Sequence, residues 1–146
     1  MLDLQIISRD RGKCGWKGHG ELAEQPWGRS CVERCVRDAR SWREDRVVTT
    51  ETCNTIADGL ATCVPLETNV RAIRELVDDV SLVSEDELLK AIRTLLFDEH
   101  LVAEAAGAAS AATYLQNPTS YAGRSVVLLI TGSNIPNELL ARAITK

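Results

Sequence analysis

The run Thr131-Gly132-Ser133-Asn134 follows Ser125–Ile130, a stretch rich in valine, leucine and isoleucine. Such a stretch predicts a central parallel strand covered on both faces. Open parallel sheets bind ligands beyond the carboxyl ends of their strands. Thr131 therefore stands where a hydroxyl could hydrogen-bond a ligand, although the same hydroxyl could cap the helix that Pro136 starts. Glu104 is a carboxylate in the first turn of another expected helix, a place the helix dipole alone would favour. Gly59 lies in Thr55-Ile56-Ala57-Asp58-Gly59-Leu60-Ala61, where a glycine gives either close backbone approach or φ freedom. Asp58 and the Asp78-Asp79 pair read as caps and solvated charges.

Cys14, His19, Cys31 and Cys35 offer soft ligands. Structural zinc sites want two close pairs, and this spacing comes near that pattern without matching a standard finger. Free thiols are the preferred reading, and no metal is assigned. Gly12, Gly15, Gly18 and Gly20 do not form a dinucleotide fingerprint.

The elements that must position these residues divide near residue 47. Residues 1–46 carry all three tryptophans, many arginines and scattered glycines. They read as poorly ordered chain, with one short strand at Leu2–Ile6 and a short helix around Ser30–Trp42. From residue 47 to 146 the pattern is regular. Val70, Ile73, Leu76 and Val77 recur at helical spacing through Asn69–Asp78, and Asp79–Val83 is a strand candidate. Ser84-Glu85-Asp86-Glu87 is a capping box whose acidic first turn suits the helix dipole. Leu88, Leu89, Ile92, Leu95 and Leu96 then give one apolar face, so Glu85–Glu99 is expected as a helix. Alanine-rich Val102–Leu115 is expected as a helix pressed against a sheet, Tyr121–Arg124 as a turn, and Pro136–Ile144 as the final helix. Helices alternating with strands predict an α/β layered fold.

The chain has 146 residues, enough for one domain, and a net charge of −4 with pI near 5.2. That balance argues against nucleic acid, which needs a concentrated basic surface. No apolar run is long enough to span a bilayer. Met1–Ser8 lacks the basic and apolar regions of a signal peptide. Five cysteines, an odd number, fit reduced thiols and a cytoplasmic setting.

From about Thr49 onward the sequence resembles the fold-type II, pyridoxal-phosphate-dependent threonine/serine dehydratases. Three stretches carry the resemblance in register. They are Thr55–Ala61; Glu75–Val80 followed by Val83–Glu87; and Leu101–Ala109 followed by Thr131–Asn134, which the family usually writes SGGN. The resemblance implies part of a three-layer parallel-sheet domain of the tryptophan synthase beta-like fold. It implies cofactor contacts at Thr131, Gly59, Glu104, Gly132 and Asn134. Thr131 would meet the pyridine nitrogen as a neutral hydroxyl, which limits electron withdrawal by the ring and suits elimination of a β-hydroxyl. Glu104 would stand near the pyridine edge, and Gly59 would bring backbone close to the ring. Ser133, where the family has glycine, leaves less room.

Two family features are missing. Only Lys13, Lys17, Lys90 and Lys146 occur, none in the Ser-x-Lys-x-Arg-Gly context of the family's cofactor lysine, and no Gly-Gly pair exists to cradle a phosphate. No catalytic residue is therefore assigned, and the chain alone is expected neither to hold the cofactor tightly nor to turn over substrate. The resemblance implies a fragment of a threonine ammonia-lyase, which converts L-threonine to 2-oxobutanoate and ammonia. Serine racemase and hydroxyaspartate dehydratase share these blocks. A non-catalytic subunit or binding module that pairs with a full-length homologue, or with itself, is the alternative. A shifted reading frame would account for the divergent residues 1–46.

Overall fold

The computed structural model of the chain describes residues 27, 28, 31, 32, 36–49, 54–61 and 64–145. The strand expected at Leu2–Ile6, most of the segment 1–46 and the side chains of the cysteine cluster lie outside these residues.

Parallel pairing is visible at two places. β1 (Trp27–Gly28) runs parallel to β3 (Val77–Asp79), with Trp27 opposite Val77. β2 (Cys31–Val32) runs parallel to β4 (Leu82–Val83), pairing Cys31 with Leu82 and Val32 with Val83. Parallel strands need long crossovers, and here α1 (Val36–Glu44) and α2 (Glu67–Leu76) lie in the intervening chain. This is the α/β arrangement expected. The single strand expected at Asp79–Val83 is two short ones, β3 and β4, broken at Val80 and Ser81.

α3 (Glu85–Phe97) organises the core. Ser84 caps it, accepting the Glu87 N–H at 3.3 Å, while the Glu87 carboxylate accepts the Ser84 N–H at 2.6 Å. Leu88, Leu89, Ile92 and Leu95 are buried on one face, as the spacing predicts, joined by Ala91, while Leu96, expected on that face, is half-buried. They pack on α4 (Ala109–Gln116) and α5 (Asn137–Thr145). Each fully buried leucine or isoleucine contributes roughly 1.5–3 kcal/mol of transfer free energy. The alanines 103, 105, 106, 108, 109, 111 and 112 are all buried. Their small side chains let this segment lie close to its neighbours, as its composition implies.

Two expectations need correction. The helix expected over Val102–Leu115 begins only at Ala109, because residues 105–108 form a turn. Gly107 in that turn lies against the backbone of Gly132, a contact a continued helix would have to give up. The strand expected at Ser125–Ile130 pairs with no other strand among the described residues, and its two faces are not both covered: Val127 is 65% and Leu129 41% exposed. Only one side is supported, where the Ser110 hydroxyl donates to the Leu129 carbonyl at 2.8 Å. A strand is defined by its neighbours, and among the described residues no strand lies beside this one.

Candidate functional site

The site is built where the turn before α4 meets the chain leaving Ser125–Ile130. The Glu104 N–H donates to the Gly132 carbonyl at 2.9 Å, and the Glu104 carboxylate (Oε2) accepts the Asn134 N–H at 3.1 Å. Backbone and side chain of one residue thus hold the same short loop. Such double anchoring fixes the carboxylate at the loop rather than leaving it in solvent.

Absent side chains make this closeness feasible. A Cβ on Gly132 would run into the Glu104 carboxyl group, standing 2.9 Å from Oε2 and closer still to Oε1. A Cβ on Gly107 would stand 2.7 Å from the Gly132 carbonyl oxygen and 2.8 Å from its nitrogen. Both sets of distances are shorter than real Cβ contacts. At Gly107 the obstacle is backbone, so glycine is required there, whereas at Gly132 it is the end of the Glu104 side chain, which would have to move aside.

Gly59 comes from a third part of the chain. It sits in a one-turn 3₁₀ helix, Asp58–Leu60, whose Leu60 N–H donates to the Ala57 carbonyl at 2.9 Å. A Cβ there would lie 3.1 Å from the Ala106 Cβ and 3.9 Å from Glu104 Oε1. Asp58 is exposed and accepts the neighbouring Gly59 N–H at 2.8 Å, but it is the first residue of the turn and not its cap, which is Ala57.

Four of the five residues singled out from sequence, Gly59, Glu104, Gly132 and Asn134, therefore converge, although they come from segments far apart in the chain. Thr131 is next to Gly132 and exposed, and Ser133 and Asn134 are exposed beyond it. Glycine backbone borders the half-buried Glu104 carboxylate from two directions, with polar groups along the open side. Such a strip can receive a flat, hydrogen-bonding edge.

Sequence reasoning overlooked two residues. Gly107 is needed for the close approach of Gly132. Glu85 ties the Gly59 segment down: its carboxylate accepts the Thr55 hydroxyl at 2.8 Å and the Ile56 N–H at 3.2 and 3.3 Å. The available signal was the capping box, which occupies Ser84 and Glu87 and leaves the Glu85 carboxylate for another partner.

Lys90, the one lysine among the described residues, is exposed on α3; Lys13, Lys17 and Lys146 lie outside them. Among the described residues no group of histidine, cysteine or acidic side chains could hold a metal ion, and no helix is long and apolar enough to cross a membrane.

Residues 30–132 match the family model for pyridoxal-phosphate dependent enzymes. The chain is 35% identical over 106 residues to L-threonine ammonia-lyase of Thermotoga maritima, covering 73% of this chain and 26% of that protein. It is 35% identical over 99 residues to the catabolic L-threonine dehydratase TdcB of Escherichia coli, covering 66% of this chain and 30% of that protein. A solved threonine deaminase from T.th. superposes with a TM-score of 0.66 at 31% identity, covering 72% of this chain and 38% of that one. The chain thus spans about a quarter to a third of the length of the curated relatives it matches.

Proposed function

This chain belongs to the pyridoxal-phosphate dependent enzyme family, and we propose that its residues 54–134 build the ring-edge wall of a threonine/serine dehydratase site. The fold is the tryptophan synthase beta-like α/β fold of its structural neighbours, and the family's cofactor is pyridoxal phosphate. The observation that carries the reading is the convergence of Gly59, Gly132 and Asn134 on the Glu104 carboxylate.

These residues fit one edge of the cofactor. The glycines at 59 and 132 leave backbone, without side chains, where a flat ring needs room, and Glu104, Thr131 and Asn134 supply polar groups around it. The rest of the requirement is not met by this chain, which offers no run of glycines for the phosphate and no lysine in the family context. No chemical step can therefore be assigned to its residues. When bound, pyridoxal phosphate supplies the electron sink for loss of the α-proton and β-hydroxyl of an amino acid. The part this chain would play is orientation: the Thr131 hydroxyl would donate to the cofactor's ring nitrogen, and Gly59 and Gly132 would set how near the backbone comes.

The whole enzyme of which this is a part would convert L-threonine to 2-oxobutanoate and ammonia, in line with the activities for which the relatives above are named. Serine and hydroxyaspartate are substrates of the same class, sharing the β-hydroxyl. A cytoplasmic setting goes with the odd number of cysteines as reduced thiols. The exposed Val127 and Leu129 edge favours a second reading, a subunit that pairs with a full-length homologue.

The test is a titration of the full chain with pyridoxal phosphate, followed at each backbone amide by NMR. Shifts confined to Gly59, Thr131, Gly132 and Asn134 at millimolar cofactor are expected. Shifts scattered over the surface, or none, would remove the ring-edge assignment.

A further inference from the structure

Glu85 lies at the first position of α3, and three hydrogen bonds lead from it to the Gly59 segment. Its carboxylate receives the Thr55 hydroxyl at 2.8 Å and the Ile56 N–H on both oxygens, at 3.2 and 3.3 Å. The Thr55 oxygen in turn accepts the Ala57 N–H at 3.1 Å. The next residues form the 3₁₀ turn that brings Gly59 beside Ala106 and Glu104. All three of Thr55, Ile56 and Glu85 are half-buried, so these bonds are partly shielded from competition with water.

Capping does not account for this arrangement. Ser84 and Glu87 already complete the capping box of α3. A carboxylate in a first turn is stabilised by the helix dipole wherever it points, yet Glu85 is directed out of the helix onto another segment. Bonds to an ionised acceptor are among the stronger ones a protein makes, and the outer end of this chain of bonds is fixed to the most firmly packed helix of the core.

We propose that Glu85 is a positioning residue for the ring-edge site: by holding Thr55 and Ile56 on α3, it sets the distance between the Gly59 backbone and the Glu104 carboxylate. The proposal rests on the cofactor reading above for its purpose, but not for its geometry. Without Glu85, Thr55 loses its acceptor, the Ala57 N–H loses a fixed partner, and the 3₁₀ turn is free to move away from Ala106.

The experiment compares the full chain with its Glu85→Gln, Glu85→Ala and Thr55→Val variants, using amide chemical shifts and hydrogen exchange without ligand, then with pyridoxal phosphate. Glu85→Gln keeps an acceptor for the Thr55 hydroxyl and should leave Gly59 and Asn134 close to their parental positions. Glu85→Ala and Thr55→Val should both shift the Gly59 and Glu104 amides and speed exchange at Leu60 by about tenfold, the scale of one lost hydrogen bond to a charged group. α3 amides should keep their protection, which shows that the variants still fold. Perturbation of Ile56 alone, or a uniform loss of protection in which Glu85→Gln behaves like Glu85→Ala, would overturn the proposal. The ligand-free spectra decide it. Failure of the parent chain to respond to pyridoxal phosphate would instead count against the cofactor reading, and the two failures are separately visible.

Discussion

The Glu104 carboxylate accepts the backbone N–H of Asn134 at 3.1 Å, joining the turn before α4 to the loop that follows Ser125–Ile130. The contact exists because glycines stand at the two points of closest approach, and those glycines differ in what an added methyl would strike. At Gly132 it meets the end of a flexible side chain, whereas at Gly107 it meets the backbone of Gly132. Gly107→Ala should therefore cost about 1–3 kcal/mol of stability, the range for overpacking. Gly132→Ala should cost less, because the Glu104 carboxylate can swing aside, but it should displace the Asn134 amide resonance more. Urea unfolding and amide spectra of the two variants check both halves.

α3 depends on its cap. Removing the Ser84 hydroxyl takes away the acceptor for the Glu87 N–H, and the expected loss for Ser84→Ala is about 1 kcal/mol. Urea midpoints measured at neutral pH give the value directly. An unchanged midpoint would mean that water replaces the hydroxyl without cost.

The same cap carries a pH signature. Burial alone would raise the Glu87 carboxyl, but hydrogen bonds from the Ser84 backbone and side chain and from Gln116, with the nearby Lys90 charge, outweigh it. The folded-state pKa is thus held below the ordinary carboxylate value. A depressed pKa contributes stability that is present above the unfolded value and is lost as pH falls through the folded one. Stability should decline on acidification through the carboxylate range, and Glu87→Gln should flatten that decline. Glu44 is lowered too, by its hydrogen bond from Arg40 and its contact with Arg46, so it shifts in the same direction. The informative quantity is therefore the difference between parent and variant stability curves.

Legibility from sequence followed the range of the interactions. α3 could be read almost residue by residue, since its cap and apolar face are local patterns. The helix at Glu67–Leu76 and the final helix were also placed within a few residues. Ser125–Ile130 could not be read in this way: its composition is that of a buried parallel strand, but pairing depends on neighbours, and Val127 is largely exposed. The Val102–Leu115 helix was overextended because nothing local announces that Gly107 must meet Gly132. The convergence of Gly59, Glu104, Gly132 and Asn134 came from the family resemblance alone, as no periodicity joins residues so far apart. Glu85 escaped notice because its first-turn position already had a sufficient local explanation.

The stretch at Ser125–Ile130, unpaired among the described residues, presents backbone and apolar side chains that another chain can meet. Exposed strand edges and apolar patches promote pairing, so light scattering should show a dimer or larger species whose size grows with concentration. Val127→Lys, which places a charge on the exposed edge, should shift the distribution towards monomer. A sharp monomer at every concentration would show that this edge is inert.

The most direct test of the central claim, that this chain carries a ring-edge wall but no cofactor-bearing lysine, is borohydride reduction with pyridoxal phosphate followed by peptide mass spectrometry. Ammonia release from L-threonine is assayed on the same sample. The account predicts no preferred adduct among Lys13, Lys17, Lys90 and Lys146, and no ammonia above the protein-free control. A stoichiometric adduct on one of these lysines, together with turnover of threonine, would contradict it.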